Sequence, residues 1–212
     1  AAMGLETDIR RLKARGLLYP CSCSRRDIEA ALSAPQEGAP APHGPDGLIY
    51  PGTCRPEIDQ SRSLSRPTEA TLRLNVTKPQ SDALICYQET GIGPQGRSGR
   101  IVFSSEMLAS TVGDFVIARR DMGTSYHLAV VLDDAAQGVT HVMRGADLTE
   151  ATMIHVYLQR LIGLPTATYH HHHLIRDEHG KRLAKRDDAR ALSKYRTEGA
   201  TPADIRRMIG LG

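Results

Sequence analysis

The tightest constraint on this chain is the order of its apolar segments in residues 113–212. Phe115–Arg119, Ser125–Asp134 and Thr140–Gly145 each carry a run of apolar residues bounded by Gly or Asp, and each predicts a short strand. From Glu150 to Ile162 the pattern changes: Met153, Ile154, Val156, Tyr157, Leu158, Leu161 and Ile162 make a wide apolar helical face, which Gly163 and Pro165 close. Tyr169–Ile175 then reads as strand again, followed by a loop and a helix-compatible run. Strand, helix, strand, loop, helix is the order of a parallel α/β sheet, in which ligands bind beyond the carboxyl ends of the strands. Arg144 falls at such an end, unless it serves as a structural salt bridge to Asp133 or Asp147.

The loop itself is Gly180-Lys181-Arg182-Leu183-Ala184-Lys185-Arg186, with four cations in the six residues after its glycine. Lysine supplies a compact point charge and arginine a planar set of donors, so the loop suits a polyanion such as triphosphate; the plainer alternative is a solvated charge run. With 27 Lys+Arg against 24 Asp+Glu the net charge is only +3, and any phosphate affinity has to be local. No apolar run is long enough to cross a bilayer and none near Ala1 resembles a leader, so the four cysteines are expected to be reduced, in a cytoplasmic protein without a membrane partner.

The amino-terminal part opens with Leu5, Ile9, Leu12 and Leu17-Leu18 on one helical face, interrupted by Gly16. Cys21-Ser22-Cys23 follows. Two cysteines one residue apart make a strained disulfide but can chelate one soft metal ion, and Zn²⁺ needs two further ligands. Tyr50 and Cys54 offer themselves, with His43 a competing fourth ligand; the alternative is three reduced thiols. The segment between the pairs holds Pro35, Pro40, Pro42, Gly44, Pro45 and Gly47 and needs an anchor. Farther on, Thr71–Val76 and Ile101–Phe103 read as strands, and Cys86 as a small core residue of another. Gly91-Ile92-Gly93-Pro94-Gln95-Gly96 fits the dinucleotide fingerprint by letter, but a loop running into a strand is the wrong context.

Taken together, Tyr126–Asp134, Gln137–Leu148, Leu158–Pro165 and Gly180–Arg186 resemble, in order and spacing, the second half of the catalytic domain of glutamyl-type class I aminoacyl-tRNA synthetases. Cys21-x-Cys23 with Tyr50-x-x-x-Cys54 is similar to the zinc site of their short paralogues, the glutamyl-queuosine tRNA(Asp) synthetases, and favours Tyr50 over His43. The resemblance implies a Rossmann-like catalytic core with an inserted zinc-binding subdomain: residues 1–56 a helix plus that subdomain, 57–112 an inserted acceptor-end-type subdomain, and 113–212 the second half of the core. It implies that Tyr126 and Arg144 hold glutamate, and that Arg182-Leu183-Ala184-Lys185-Arg186 is the ATP-binding signature loop. Lys185 is there the catalytic lysine that stabilises the α-phosphate as glutamyl-adenylate forms. Ala184 stands where the family usually has Ser, and Arg182 where it has Lys.

The implied activity is activation of glutamate by ATP, with Mg²⁺, and its transfer to queuosine in tRNA(Asp). No His-x-Gly-His tetrapeptide, the other signature of this class, occurs in the sequence, and His43-Gly44 and His127-Leu128 do not fit it. The expectation is therefore a family member without its amino-terminal half-sheet, unable to form adenylate alone and with apolar surface uncovered around Val130 and Leu132. Two rivals are a non-catalytic zinc-bearing tRNA-binding or vestigial module and a truncated glutamyl-tRNA synthetase.

Overall fold

The computed structural model describes residues 2–33, 41–56, 70–78, 84–119, 123–176, 179–180, 182–183 and 191–211. Chain contacts group into two units, Ala1–His172 and His173–Gly212, so the sequence boundaries at 56 and 112 both lie inside the first.

In the first unit α1 (Ala2–Ala14) ends where Gly16 takes φ 66° and the N–H of Leu17 reaches back to the Leu12 carbonyl at 3.1 Å. Leu12 and Leu17 are both buried, so the turn is fixed by the core as well as by the glycine. β1 (Leu18–Cys21) delivers the first cysteine, and α2 (Arg25–Ser33) follows. The two-residue strands β2 (His43–Gly44) and β3 (Gly47–Leu48) form a hairpin around Pro45-Asp46. Then come β4 (Thr71–Leu74), β5 (Ile85–Glu89), β6 (Gly99–Phe103), α3 (Ser105–Thr111) and β7 (Val116–Ala118). The unit closes with α4 (Tyr126–Ala136), β8 (His141–Gly145), α5 (Thr149–Ile162) and β9 (Thr168–His172).

β1, β4 and β7 make an antiparallel sheet in that order, with Leu72 and Leu74 turned into the core. The second sheet runs β6-β5-β9-β8, and β5, β9 and β8 are parallel while β6 is antiparallel. Here the β-α-β order read from the sequence is realised as β8-α5-β9. α5 is buried on nearly every side, from Thr149 to Gln159, and Ile154 and Leu158 join Leu74, Leu108 and Leu128 in one apolar core.

Three sequence expectations need correction. Ser125–Asp134 is not a strand: the Ser125 hydroxyl accepts the N–H of Leu128 and starts α4, in which Leu128 and Val131, three apart, enter the core. An uninterrupted apolar run has no readable period, so only packing decides between helix and strand. β9 stops at His172, short of Ile175. Cys86 lies on the outward side of β5, where Arg100 Nη2 approaches its sulfur at 3.4 Å. The glycines of the rejected fingerprint have a packing role: a Cβ on Gly91 would sit 2.2 Å from the His171 carbonyl oxygen, and one on Gly93 would sit 2.3 Å from that of Arg97.

In the second unit the N–H of Leu183 donates to the Ile175 carbonyl (3.0 Å), Arg182 bridges to Arg176, and Gly180 turns the chain at φ 77°. α6 (Leu192–Thr197) and α7 (Pro202–Met208) follow, the latter started by a reciprocal Thr201–Asp204 cap. Among the described residues no helix is long and apolar enough to cross a membrane.

Candidate active site

Tyr126, the first residue of α4, and Arg144, at the carboxyl end of β8, line one cavity of about 320 Å³ together with Asp134, His155, Gln159 and Tyr169. Tyr126 is 57% exposed. Arg144 is held from three sides. Its Nε–H donates to His171 Nε2 (3.1 Å), Nη2 to the Thr152 hydroxyl (2.6 Å) and Nη1 to His155 Nδ1 (3.1 Å). Its guanidinium also lies 5.3 Å from the centre of the Tyr169 ring. A guanidinium has five N–H donors, so one on each terminal nitrogen is left for a ligand among the described residues.

The support behind Arg144 is a buried carboxylate. His171 Nδ1 lies 2.6 Å from Glu89 Oε2, and Glu89 Oε1 accepts the N–H groups of Gly91 (2.8 Å) and His171 (3.0 Å). Burial would raise the Glu89 carboxyl, but the bonds from the His171 ring and the two backbone N–H groups outweigh it and hold it below its ordinary range. Burial dominates at His171 and lowers it despite Glu89. The pair is thus carboxylate and neutral imidazole, with the proton on Nδ1 and the Nε2 lone pair turned to Arg144. On the other side His155 is pushed down to about 2 by burial first and then by Arg144, His127 and His171. Its Nε2 lies 3.0 Å from His127 Nδ1, and His127 Nε2 lies 2.9 and 3.0 Å from the two oxygens of Asp46.

The second cluster is built by β1 and the turn after Tyr50. Cys21, Cys23 and Cys54 place their sulfurs within 4.8 Å of one another. Cys23 Sγ is 3.4 Å from Cys54 Sγ, and the Tyr50 hydroxyl is 3.5 Å from both Cys21 and Cys23. The Cys54 N–H donates to that hydroxyl at 2.7 Å, and Arg73 caps the Tyr50 ring at 4.0 Å, so the phenol is aimed at the sulfurs by its own turn. A zinc tetrahedron with bonds of about 2.3 Å has edges of about 3.8 Å. The three contacts of 3.4 to 3.5 Å, and sulfurs all within 4.8 Å of one another, are close to that size, so the donor set suits the ion. Burial raises Cys54, but bonds involving Tyr50, the Ser22 backbone and the other two thiols bring it down to about 7, whereas burial pushes Cys23 up to about 11. His43 bonds the Ala41 carbonyl at 2.7 Å on the exposed hairpin and takes no part in the cluster. Next to Cys54, Arg55 donates to the buried Asp114 (2.7 Å), which also accepts from Tyr19 (2.5 Å) and the Val76 N–H (2.9 Å), so the turn is bolted to the core.

Of the basic loop, Arg182 and Leu183 belong to the hairpin described above; Lys181, Ala184, Lys185 and Arg186 lie outside the described residues.

A model of the class I tRNA synthetases (E and Q), catalytic domain, matches residues 5–211. The chain is 61% identical over 203 residues to the glutamyl-Q tRNA(Asp) synthetase of Rhodobacter capsulatus, a match covering 96% of this chain and 70% of that protein. The chain belongs to the glutamyl-Q tRNA(Asp) synthetase family. A family member from Ralstonia nicotianae is 37% identical over 207 residues, covering 97% of this chain and 59% of its own. The fold is similar to a glutamate tRNA ligase from Elizabethkingia meningosepticum in complex with its amino acid, with TM-score 0.64 and 21% identity over 98% of this chain and 43% of that one. The chain thus spans 70% of the length of the first of these family members and 59% of the second.

For a member of this family the sequence reading named Tyr126 and Arg144 but missed what holds them: Glu89, His171, Thr152, His155, His127 and Asp46. One signal was legible. Thr152, His155 and Gln159, spaced by three and four, form a polar stripe on an otherwise apolar helix, and all three are buried. His171 shares its face of β9 with the buried Tyr169, but in the run His170-His171-His172-His173 nothing marks it until the strand's register is known.

Proposed function

We propose that this chain carries the glutamate-holding side of a ligase that activates glutamate with ATP and transfers it to queuosine in tRNA(Asp). The observation that carries the reading is the Tyr126–Arg144 cavity, in which two N–H donors of a guanidinium have no partner among the described residues and the side chains it bonds are neutral. The α-carboxylate of glutamate must stay free to attack the α-phosphorus of ATP, displacing pyrophosphate. Arg144 therefore matches the side-chain carboxylate, which keeps its charge throughout, and the exposed Tyr126 hydroxyl orients the rest of the amino acid.

Lys185 is assigned to the α-phosphate, where negative charge builds as the adenylate forms; Arg182, Leu183, Ala184 and Arg186 complete the ATP loop, with Mg²⁺ accompanying the triphosphate. Cys21, Cys23, Tyr50 and Cys54 would hold one zinc ion. Bound there, the metal supplies a structural cross-link between β1 and the turn before Arg55. The three thiols and the phenol give up protons to hold it, and the Cys54 N–H keeps the Tyr50 oxygen in place. The test is calorimetric titration with L-glutamate: binding is expected for the parent chain and lost in Arg144→Ala, and equal affinity in both would overturn the assignment.

A further inference from the structure

An arginine cannot accept a hydrogen bond, and this fixes the proton positions along a line of four side chains. Because Nη1 of Arg144 can only donate, His155 Nδ1, 3.1 Å away, must present its lone pair. His155 is 2% exposed and lies beside a permanent cation, so it is neutral and carries its single proton on Nε2. That proton points at His127 Nδ1, 3.0 Å away, which must then also be a lone pair. The remaining proton of His127 is on Nε2, which faces both oxygens of Asp46 at 2.9 and 3.0 Å. Were His127 cationic, two N–H groups would meet head to head between the imidazoles. Only one polarity is allowed, from the guanidinium through two neutral imidazoles to a carboxylate.

Two further contacts give this line a role. The Tyr126 ring rests edge-on against both imidazoles, with centroids 5.5 Å from His127 and 5.9 Å from His155. The same pair of rings therefore backs both residues of the glutamate cavity. Asp46 sits at the tip of the β2–β3 hairpin, in the stretch between Cys23 and Tyr50. Through it the segment spanning the cysteine cluster touches one of the cavity's supporting residues, His127.

We propose that Asp46, His127 and His155 are positioning residues, which hold Nη1 of Arg144 and the ring of Tyr126 in the orientation that receives glutamate, and which link that orientation to the seating of the β2–β3 hairpin. This rests on the reading of Arg144 as the carboxylate-binding residue. Glu89 and His171 fix the Nε edge of the guanidinium independently, so the two supports are separable by mutation.

Two measurements test the proposal. The first is imidazole ¹⁵N chemical shifts of the chain at neutral pH: His155 and His127 are expected as neutral Nε2–H tautomers and His171 as Nδ1–H. A cationic His127, or a proton on His155 Nδ1, overturns the relay whatever the ligand. The second is calorimetric L-glutamate affinity. Asp46→Ala, at a half-exposed turn position, and His155→Leu should each weaken binding about tenfold, the worth of one bond to a charged group. His155→Gln, whose amide can accept from Arg144 and donate to His127, should restore most of it, which a merely space-filling role would not require. Loss of binding in Arg144→Ala with parental affinity in Asp46→Ala overturns the positioning role alone. Parental affinity in Arg144→Ala overturns the reading of the cavity, leaving the tautomers to decide the relay.

Discussion

Glu89 Oε2 and His171 Nδ1 lie 2.6 Å apart with both side chains wholly enclosed, and the bond decides which face of the imidazole meets Arg144. Removing the carboxylate with Glu89→Ala leaves the His171 N–H and the Gly91 and His171 backbone N–H groups without an acceptor. A loss of about 3 kcal/mol is expected, read from the urea midpoint at constant slope. A change below about 1 kcal/mol would mean that the bond does not organise the site.

Stability should also depend on pH through His155. In the unfolded chain it titrates near 6.5, whereas in the folded chain burial and the neighbouring Arg144 guanidinium hold it at about 2. Between these values the unfolded chain binds a proton that the folded one refuses, so stability falls as pH drops below 6.5, by at most about 1.4 kcal/mol per pH unit from this group. Above 6.5 both states are neutral and it contributes no slope. Chemical denaturation at a series of pH values should show the slope shrink in His155→Gln; an unchanged profile would count against the assignment.

The cysteine cluster should bind one zinc per chain. Metal analysis of the purified protein should find it, Tyr50→Phe should weaken it, and His43→Ala should leave it alone, because His43 is engaged with Ala41 elsewhere. Since the thiols must ionise and Cys54 does so near 7 while Cys23 is pushed up to about 11, affinity should fall as pH is lowered. Chelation should speed hydrogen exchange between Ser24 and Ile49 and leave β8 and β9 protected. Loss of zinc in His43→Ala would refute this ligand set.

Kinetics should separate the two cationic residues. In glutamate-dependent pyrophosphate exchange by a version that carries the amino-terminal half-sheet with its His-x-Gly-His signature, Lys185→Ala should lower kcat by roughly a hundredfold or more with little change in the glutamate KM, because it acts on charge that develops during the reaction. Arg144→Ala should instead raise the glutamate KM. Matching effects on both parameters in the two variants would contradict the division of roles.

How much of this was legible beforehand depends on how far apart in sequence the cause of each feature lies. Local pattern alone determined the strand-helix-strand order around α5, the stop at Gly16 and the rejection of Gly91–Gly96 as a nucleotide loop, because each rests on neighbours a few residues away, whereas the choice of Tyr50 over His43 beside the cysteines came from the family resemblance. The apolar run from Leu128 to Leu132 was not legible: it has no period to read, and α4 exists because a serine cap and the facing surface of α5 select helix over strand. Beyond the polar stripe of α5, sequence could not find the support of Arg144. Glu89 and His171 stand 82 residues apart and Asp46 and His127 stand 81 apart, and they meet only because β5 pairs with β9 and the β2–β3 hairpin lies over α4. A buried charge is tolerable only where partners from distant segments close around it, so the residues that hold Arg144 were the tertiary structure's to choose.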